Sequence, residues 1–166
     1  MLTLPLAHVS LYRIMNQGAM RIYLAGPLFT AAERTFNATL RDLLMAGGYD
    51  VWLPQDHEPR DKTAAAIFSK DVEGIDWADV VVANMDGPDP DSGTCWECGY
   101  AYKKKKIIVY RTDFRGAGEV GSPFNLMLSE SADHVLTLPP FSSVERVAHG
   151  LRLALERCAE ENVARP

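Results

Sequence analysis

The stretch "DVVVANM", residues 79–85, decides how the rest of the chain is read. Its apolar run is nearly continuous, short and β-branched. That marks a strand covered on both faces, as in a parallel sheet, rather than one with a wet side. Before it, residues 63–77 carry Ile67, Phe68, Val72 and Ile75 at helical spacing. After it comes a polar loop, 86–93, then a helical stretch expected to run through Lys105, then "KIIVYR" (106–111) as the next strand. A strand flanked by helices on both sides implies crossover connections.

The same alternation extends in both directions. "RIYLA" (21–25) ends at Gly26-Pro27 and reads as the first strand. "TAAE" (30–33) is a capping box, in which Thr30 accepts from a helix amide and Glu33 reaches back. The helix it opens has Phe36, Leu40, Leu43 and Leu44 on one face and ends at Gly47-Gly48. "YDVWLP" (49–54) is the second strand, followed by a loop to about Thr63 that contains Pro59. Beyond a glycine-rich loop, 112–124, "FNLML" is a short helix, "HVLTL" (134–138) a fifth strand, and "SSVE" (142–145) the cap of a last helix with Val147, Leu151 and Ala154 inward. This is an α/β chain, expected to form a three-layer sandwich around a five-stranded parallel sheet of order 2-1-3-4-5. Ligands in such sheets sit beyond the carboxyl ends of the strands, where the order reverses between strands one and three. "GPLF" (26–29) and "MDGPDPDSG" (85–93) therefore face one crevice.

The chain has 166 residues, 17 basic against 22 acidic, for a net charge of -5. That balance argues against a general nucleic-acid binder, and no apolar run is long enough to span a bilayer. Residues 1–19 lack a basic start, and Pro5, His8 and Arg13 interrupt their apolar pattern. They are expected to be a loose extension or an oligomer-contact arm rather than a signal peptide, with one domain over 20–166. Three cysteines, an odd number, suggest a reducing, cytoplasmic setting.

"DPDSGTCWECGYAYKKKK" (89–106) carries several competing signals. Cys95 and Cys98 form a Cys-x-x-Cys, open to a redox or half-zinc reading. Only Cys158 and scattered histidines could complete a metal site, so small helix-packing residues are the better reading. No metal or cofactor is expected. Lys103–Lys106 is read as a solvated helix end rather than a nucleic-acid contact. Glu97 stands in the first turns of a helix aimed at the crevice, among Gly93, Thr94, Gly99 and Ala101. Asp91 lies at the lip of the loop, and Asp71 continues the apolar face of its helix. These carboxylates are read either as capping and surface acids or as a pair acting on a bound sugar in retaining glycosyl transfer. There is no dinucleotide fingerprint, no Walker lysine and no nucleophile elbow.

"IYLAGPLF", "KDVEGIDWADVVVA", "DPDSGTCWECGYAY" and "SPFNLML" together resemble the nucleoside 2-deoxyribosyltransferases. The most specific part is D-x-G-T-x-x-E-x-G-x-A with P-F-N-L-M downstream. The resemblance implies a flavodoxin-like fold and a ping-pong exchange of nucleobases on 2-deoxyribose. By position, Glu97 matches the nucleophile, Asp71 the acid facing the leaving base, and Tyr23 a tyrosine that hydrogen-bonds the nucleophile. Asp91 matches a carboxylate near the sugar hydroxyls. Phe29 would pack on sugar and base, and Gly26, Gln55 and Met127 complete the substrate-binding set. Asn125 matches a residue that reaches the 5′-hydroxyl from a neighbouring subunit, implying a homo-oligomer, a dimer or a trimer of dimers, with shared sites. The implied partners are deoxynucleosides and free nucleobases. The segment "PQDHEP" (54–59), with Gln55, Asp56 and His57, lies on the base side. Two alternatives stand beside this. One is a hydrolase of 2′-deoxynucleoside 5′-monophosphates, which would need a phosphate cradle where this chain has "GPLFTAAER". The other is a nucleotide-binding sensor without turnover.

Overall fold

The computed structural model describes residues 18–115 and 122–163. Most of the expected N-terminal extension lies outside them. Five strands, β1 (Arg21–Ala25), β2 (Asp50–Trp52), β3 (Val80–Asn84), β4 (Lys106–Arg111) and β5 (His134–Thr137), form one parallel sheet of order β2-β1-β3-β4-β5. Five helices cover it: α1 (Ala31–Ala46), α2 (Ala64–Trp77), α3 (Ser92–Ala101), α4 (Leu126–Ser131) and α5 (Val144–Val163). The flavodoxin-like order expected from the alternation of elements is present. Among the described residues no helix is long and apolar enough to cross a membrane.

The alternation of side chains along each strand makes two cores. Ile22, Leu24, Val80, Val82, Ile108 and Tyr110 face α1 and α5, where they meet Leu40, Leu44, Val147, Leu151 and Leu155. Tyr23, Ala25, Val81, Ala83, Ile107 and Val109 face α2 and α3, where they meet Ile75, Cys98 and Ala101. All five residues of β3 are buried, as a strand covered on both faces requires. Thr30 and Glu33 form the capping box in full, and Gly47 caps the other end of α1.

Three local expectations need correction. The helix expected to reach Lys105 stops at Ala101, where Tyr102 turns extended and Lys103 takes a left-handed φ of 63°. The lysines therefore do not close α3. Instead Lys105 Nζ donates to the carbonyls of Asp76 (2.8 Å) and Ala78 (2.7 Å), satisfying the end of α2. Second, only part of the apolar stripe of α2 faces inward: Ile75 is buried, but Ile67 and Phe68 are exposed, with Phe68 against Trp96 of α3. Third, β2 is shorter than expected, and Pro54–Asp56 forms a 3₁₀ turn.

Trp52, at the end of β2, fixes how α2 approaches the sheet. Its ring stacks on His57 at 3.9 Å and lies 5.8 Å from that of Trp77. A Cβ at Gly74 would stand 2.4 Å from Trp52 Nε1 and 2.6 Å from Cδ1. Alanine is the better helix former, but here the indole is held on two sides and cannot yield. Gly74→Ala is expected to lower unfolding stability by about 1–2 kcal/mol, read from urea midpoints, whereas helix propensity alone would raise it.

Candidate active site

The crevice opens where β1 and β3 part. Gly26 follows β1 and lies against the end of β3, since a Cβ there would stand 3.2 Å from Asn84 Cβ. The loop after Gly26 is tied to α1. Glu33 accepts from the amides of Phe29 (2.9 Å) and Thr30 (2.8 Å), and Asn37 Nδ2 donates to Pro27 O. Phe29 itself is 75% exposed.

Tyr23, Asp71 and Glu97 come together over β1. Tyr23 is fully buried on the face covered by α2 and α3, and its hydroxyl donates to Glu97 Oε1 at 2.5 Å. Glu97 is on the second turn of α3, and its carboxyl is pushed up to about 7. Burial is the largest cause. The Tyr23 hydrogen bond opposes it, and the negative charges of Asp71 and Asp91 reinforce it. Asp71, half-buried on α2, is raised above the usual carboxylate range by burial. Tyr23 is raised as well, by burial first and then by the charge of Glu97, so it remains a hydrogen-bond donor.

Asp91 caps α3. Its Oδ2 accepts from Thr94 N (2.9 Å) and Thr94 Oγ1 (3.1 Å), so the capping role weighed from sequence is present. Its other oxygen has no protein partner among the described residues. On the base side, Gln55 Nε2 donates to Arg34 O, while its buried Oε1 has no partner. Asp56 is paired with Arg41, and His57 stacks on Trp52.

The segment around Asn125 differs from expectation. In sequence, Phe124, Leu126, Met127 and Leu128 read as an apolar cluster too dense for an exposed loop and hence as an interface, but Phe124 is fully buried in the core of its own chain, and Leu128 packs beside it. Leu126 and Met127 remain exposed, Met127 by 72%. Asn125 Oδ1 accepts from Met127 N and caps α4.

The thiols are poor candidates for chemistry. Cys98 is buried and pushed up to about 12, and Cys95 is raised as well, burial being the largest cause for both. Among the described residues no group of three or more His, Cys, Asp or Glu is arranged to hold a metal ion. One set of residues escaped the sequence reading: Arg111, buried at the end of β4, with Asp86, Thr112 and Asp113 around it. A strand-ending arginine carries no sequence signal that separates it from a surface charge.

The arrangement puts one ionisable carboxylate, held by a phenol, beside a second carboxyl raised by burial, under a crevice open to solvent. That suits attack on an electrophilic carbon with proton donation to a leaving group. A search of curated proteins returns no match. Among solved structures the chain is similar to a 2-deoxyribosyltransferase from Bacillus psychrosaccharolyticus, at 26% identity and a TM-score of 0.59 over 77% of this chain and 90% of that one. It is similar to a 2-desoxiribosyltransferase from Leishmania mexicana, at 25% identity and 0.62 over 80% and 97%. It shares its fold with a CMP N-glycosidase from Clostridium botulinum, at 20% identity and 0.57 over 80% and 98%. The sequence profile of the nucleoside 2-deoxyribosyltransferases matches residues 22–127, from the strand that bears Tyr23 into the first turn of α4. That span is more than half the chain and contains every carboxylate of the crevice described above, and the protein belongs to the nucleoside 2-deoxyribosyltransferase family.

Proposed function

We propose that this protein transfers 2-deoxyribose between nucleobases by two displacements through a deoxyribosyl ester of Glu97. The observation that carries the reading is the Tyr23–Glu97 hydrogen bond beneath a crevice flanked by Asp71 and Asp91. Glu97 Oε attacks C1′, and the C1′–N bond breaks with its electron pair moving to the base. Asp71, whose affinity for a proton is raised by burial, faces the departing base and supplies the proton it takes up. A second base then attacks C1′, its N–H proton passing back to Asp71, and Glu97 leaves as carboxylate. Two inversions retain the β configuration. A 2-deoxy sugar suits this path, because no electron-withdrawing 2′-hydroxyl opposes the positive charge that develops at C1′.

Asp91 offers its free oxygen to the sugar hydroxyls, and Phe29 closes over sugar and base. Of the three residues on the base side, Gln55 alone has a buried polar atom without a partner among the described residues, an acceptor that matches the amino group of a base. Asn125 and Met127 act in a neighbouring subunit's crevice. The exposed Met127, Ile67, Phe68 and Trp96 give a symmetric partner apolar surface to cover.

The 5′-monophosphate hydrolase fits less well. Arg34, the arginine nearest the loop after β1, pairs with Glu58 at 2.9 Å, and Arg115 pairs with Asp113. Carboxylates at 71, 91 and 97 disfavour a doubly charged phosphate. The deciding experiment supplies a deoxynucleoside and a different free base. A new deoxynucleoside marks the transferase, free deoxyribose marks a hydrolase, and binding without either product marks a sensor.

Glu97→Ala should lower exchange by about 10³-fold or more, and the wild-type protein given a deoxynucleoside without acceptor should carry a deoxyribosyl adduct on the peptide containing Glu97. An adduct on another peptide would refute the assignment. Because only the ionised carboxylate attacks, kcat/KM should rise with pH and level off above about 7. Stability follows the opposite sign. The native state holds the Glu97 proton from the ordinary value of 4.5 up to about 7, so stability falls as pH rises through that window. Glu97→Gln removes this slope, and its gain in Tm should be larger at pH 8 than at pH 5. Mixing inactive Glu97→Ala with inactive Asn125→Ala should restore part of the activity once subunits exchange. A fully active monomer by light scattering would exclude shared sites.

A further inference from the structure

We propose that Arg111 is a positioning residue that locks the loop leading to Asp91 against the residues that follow β4, and so sets the sugar-hydroxyl side of the crevice relative to Glu97. The inference rests on the reading of the site given above for the role of Asp91.

Arg111 closes β4 and is 2% exposed, the largest fully buried side chain of the described residues. Among the described residues no carboxylate forms an ion pair with it. Its guanidinium donates instead to the carbonyls of Met85, Gly87 (2.8 Å) and Arg115. Two of these lie in the loop after β3 and one in the loop after β4. An apolar residue would fill the same space more cheaply. What the rigid fork adds is direction, because its donors meet three fixed carbonyls only when the two loops hold one relative position.

The contacts also run the other way. The Asp86 carboxylate, from the first loop, accepts from Thr112 N (2.6 Å), Thr112 Oγ1 (2.8 Å) and Asp113 N (2.8 Å) of the second. Asp113 in turn accepts from Gly87 N at 3.0 Å. Gly87 has a φ of +116°, and a Cβ there would stand 2.8 Å from Asp89 O, so the chain turns sharply at the point both latches grip. Four residues later Asp91 caps α3, the helix that carries Glu97. The position of Asp91 is therefore defined from one side by its cap and from the other by this lock. A lock of this kind has no contact with the reacting atoms. It acts on where the sugar hydroxyls are held.

The test uses the full chain and counts total base release, so transfer and hydrolysis are both read. Arg111→Lys keeps a cation but loses the fork. Thr112→Val keeps the shape and loses only the hydroxyl bond to Asp86, so it folds even if the first variant does not. For each, kcat/KM is measured for a 2′-deoxynucleoside and for its 2′,3′-dideoxy analogue. The ratio between the two should shrink by about five-fold in Arg111→Lys and less in Thr112→Val, with the dideoxy analogue little affected. An equal loss on both substrates, or an unchanged ratio, would overturn the proposal, since mere destabilisation lowers both alike. Amide hydrogen exchange supplies a readout independent of activity. Residues 87–93 should exchange about ten-fold faster in Arg111→Lys while β1 is unchanged. If the wild-type protein releases no base from any deoxynucleoside, the functional reading fails, and unaltered exchange in 87–93 would then separately defeat the lock.

Discussion

A buried phenol must give its hydrogen to something, and in this protein Tyr23 gives it to Glu97. Tyr23 sits in the second strand position from the sheet edge, in register with Val81 of β3 and Trp52 of β2. Its ring belongs to the core beneath α2 and α3, and its hydroxyl belongs to the crevice. Any shift of α3 relative to the sheet would strand a polar atom in an apolar layer. The same bond that orients the carboxylate thus fixes the helix that carries it, and the core and the site cannot vary independently.

Burial works against the ionised form of Glu97 and, in the double displacement proposed for this crevice, would favour its reactivity. A carboxylate well solvated at a helix N-terminus would be a stable anion and a weak nucleophile. Enclosure beside Asp71 and Asp91 removes that stabilisation, while Tyr23 returns enough of it to leave a usable fraction ionised near neutral pH. The balance depends on α2, because Asp71 reaches the site only as far as Gly74 lets that helix approach Trp52.

The sheet order was legible because strands and helices alternate with different periods, and "DVVVANM" cannot be wet on either face. The capping box of α1 was legible because its chemistry is local. The end of α3 was not: four lysines after a helical stretch look like its continuation, and the carbonyls that claim Lys105 lie 27 and 29 residues away in sequence. Phe124 misled for a related reason. Apolar density in a loop reports that something covers it, not whether the cover comes from the same subunit. Glu97 and Asp71 stood out from their settings, a carboxylate among small residues and a carboxylate on an apolar stripe. Tyr23 did not, since a tyrosine in a strand is an ordinary core residue, and only the family resemblance marked it. Arg111 had no mark of any kind, because its partners are backbone atoms.

The chain has three tryptophans, and their placement is uneven. Trp52 and Trp77 pack on the α2 and α3 side of the sheet, and Trp96 stands on α3 between Phe68 and Tyr100. Described side chains of the opposite core, under α1 and α5, include none. Tryptophan emission therefore reports on one layer of the sandwich, the layer that carries the carboxylates, while circular dichroism averages over every helix. A melting curve followed by emission and one followed by ellipticity would separate a loosening of the α2 and α3 layer from collapse of the whole sheet. Trp96, one residue before Glu97, supplies an optical signal beside the crevice without any added label.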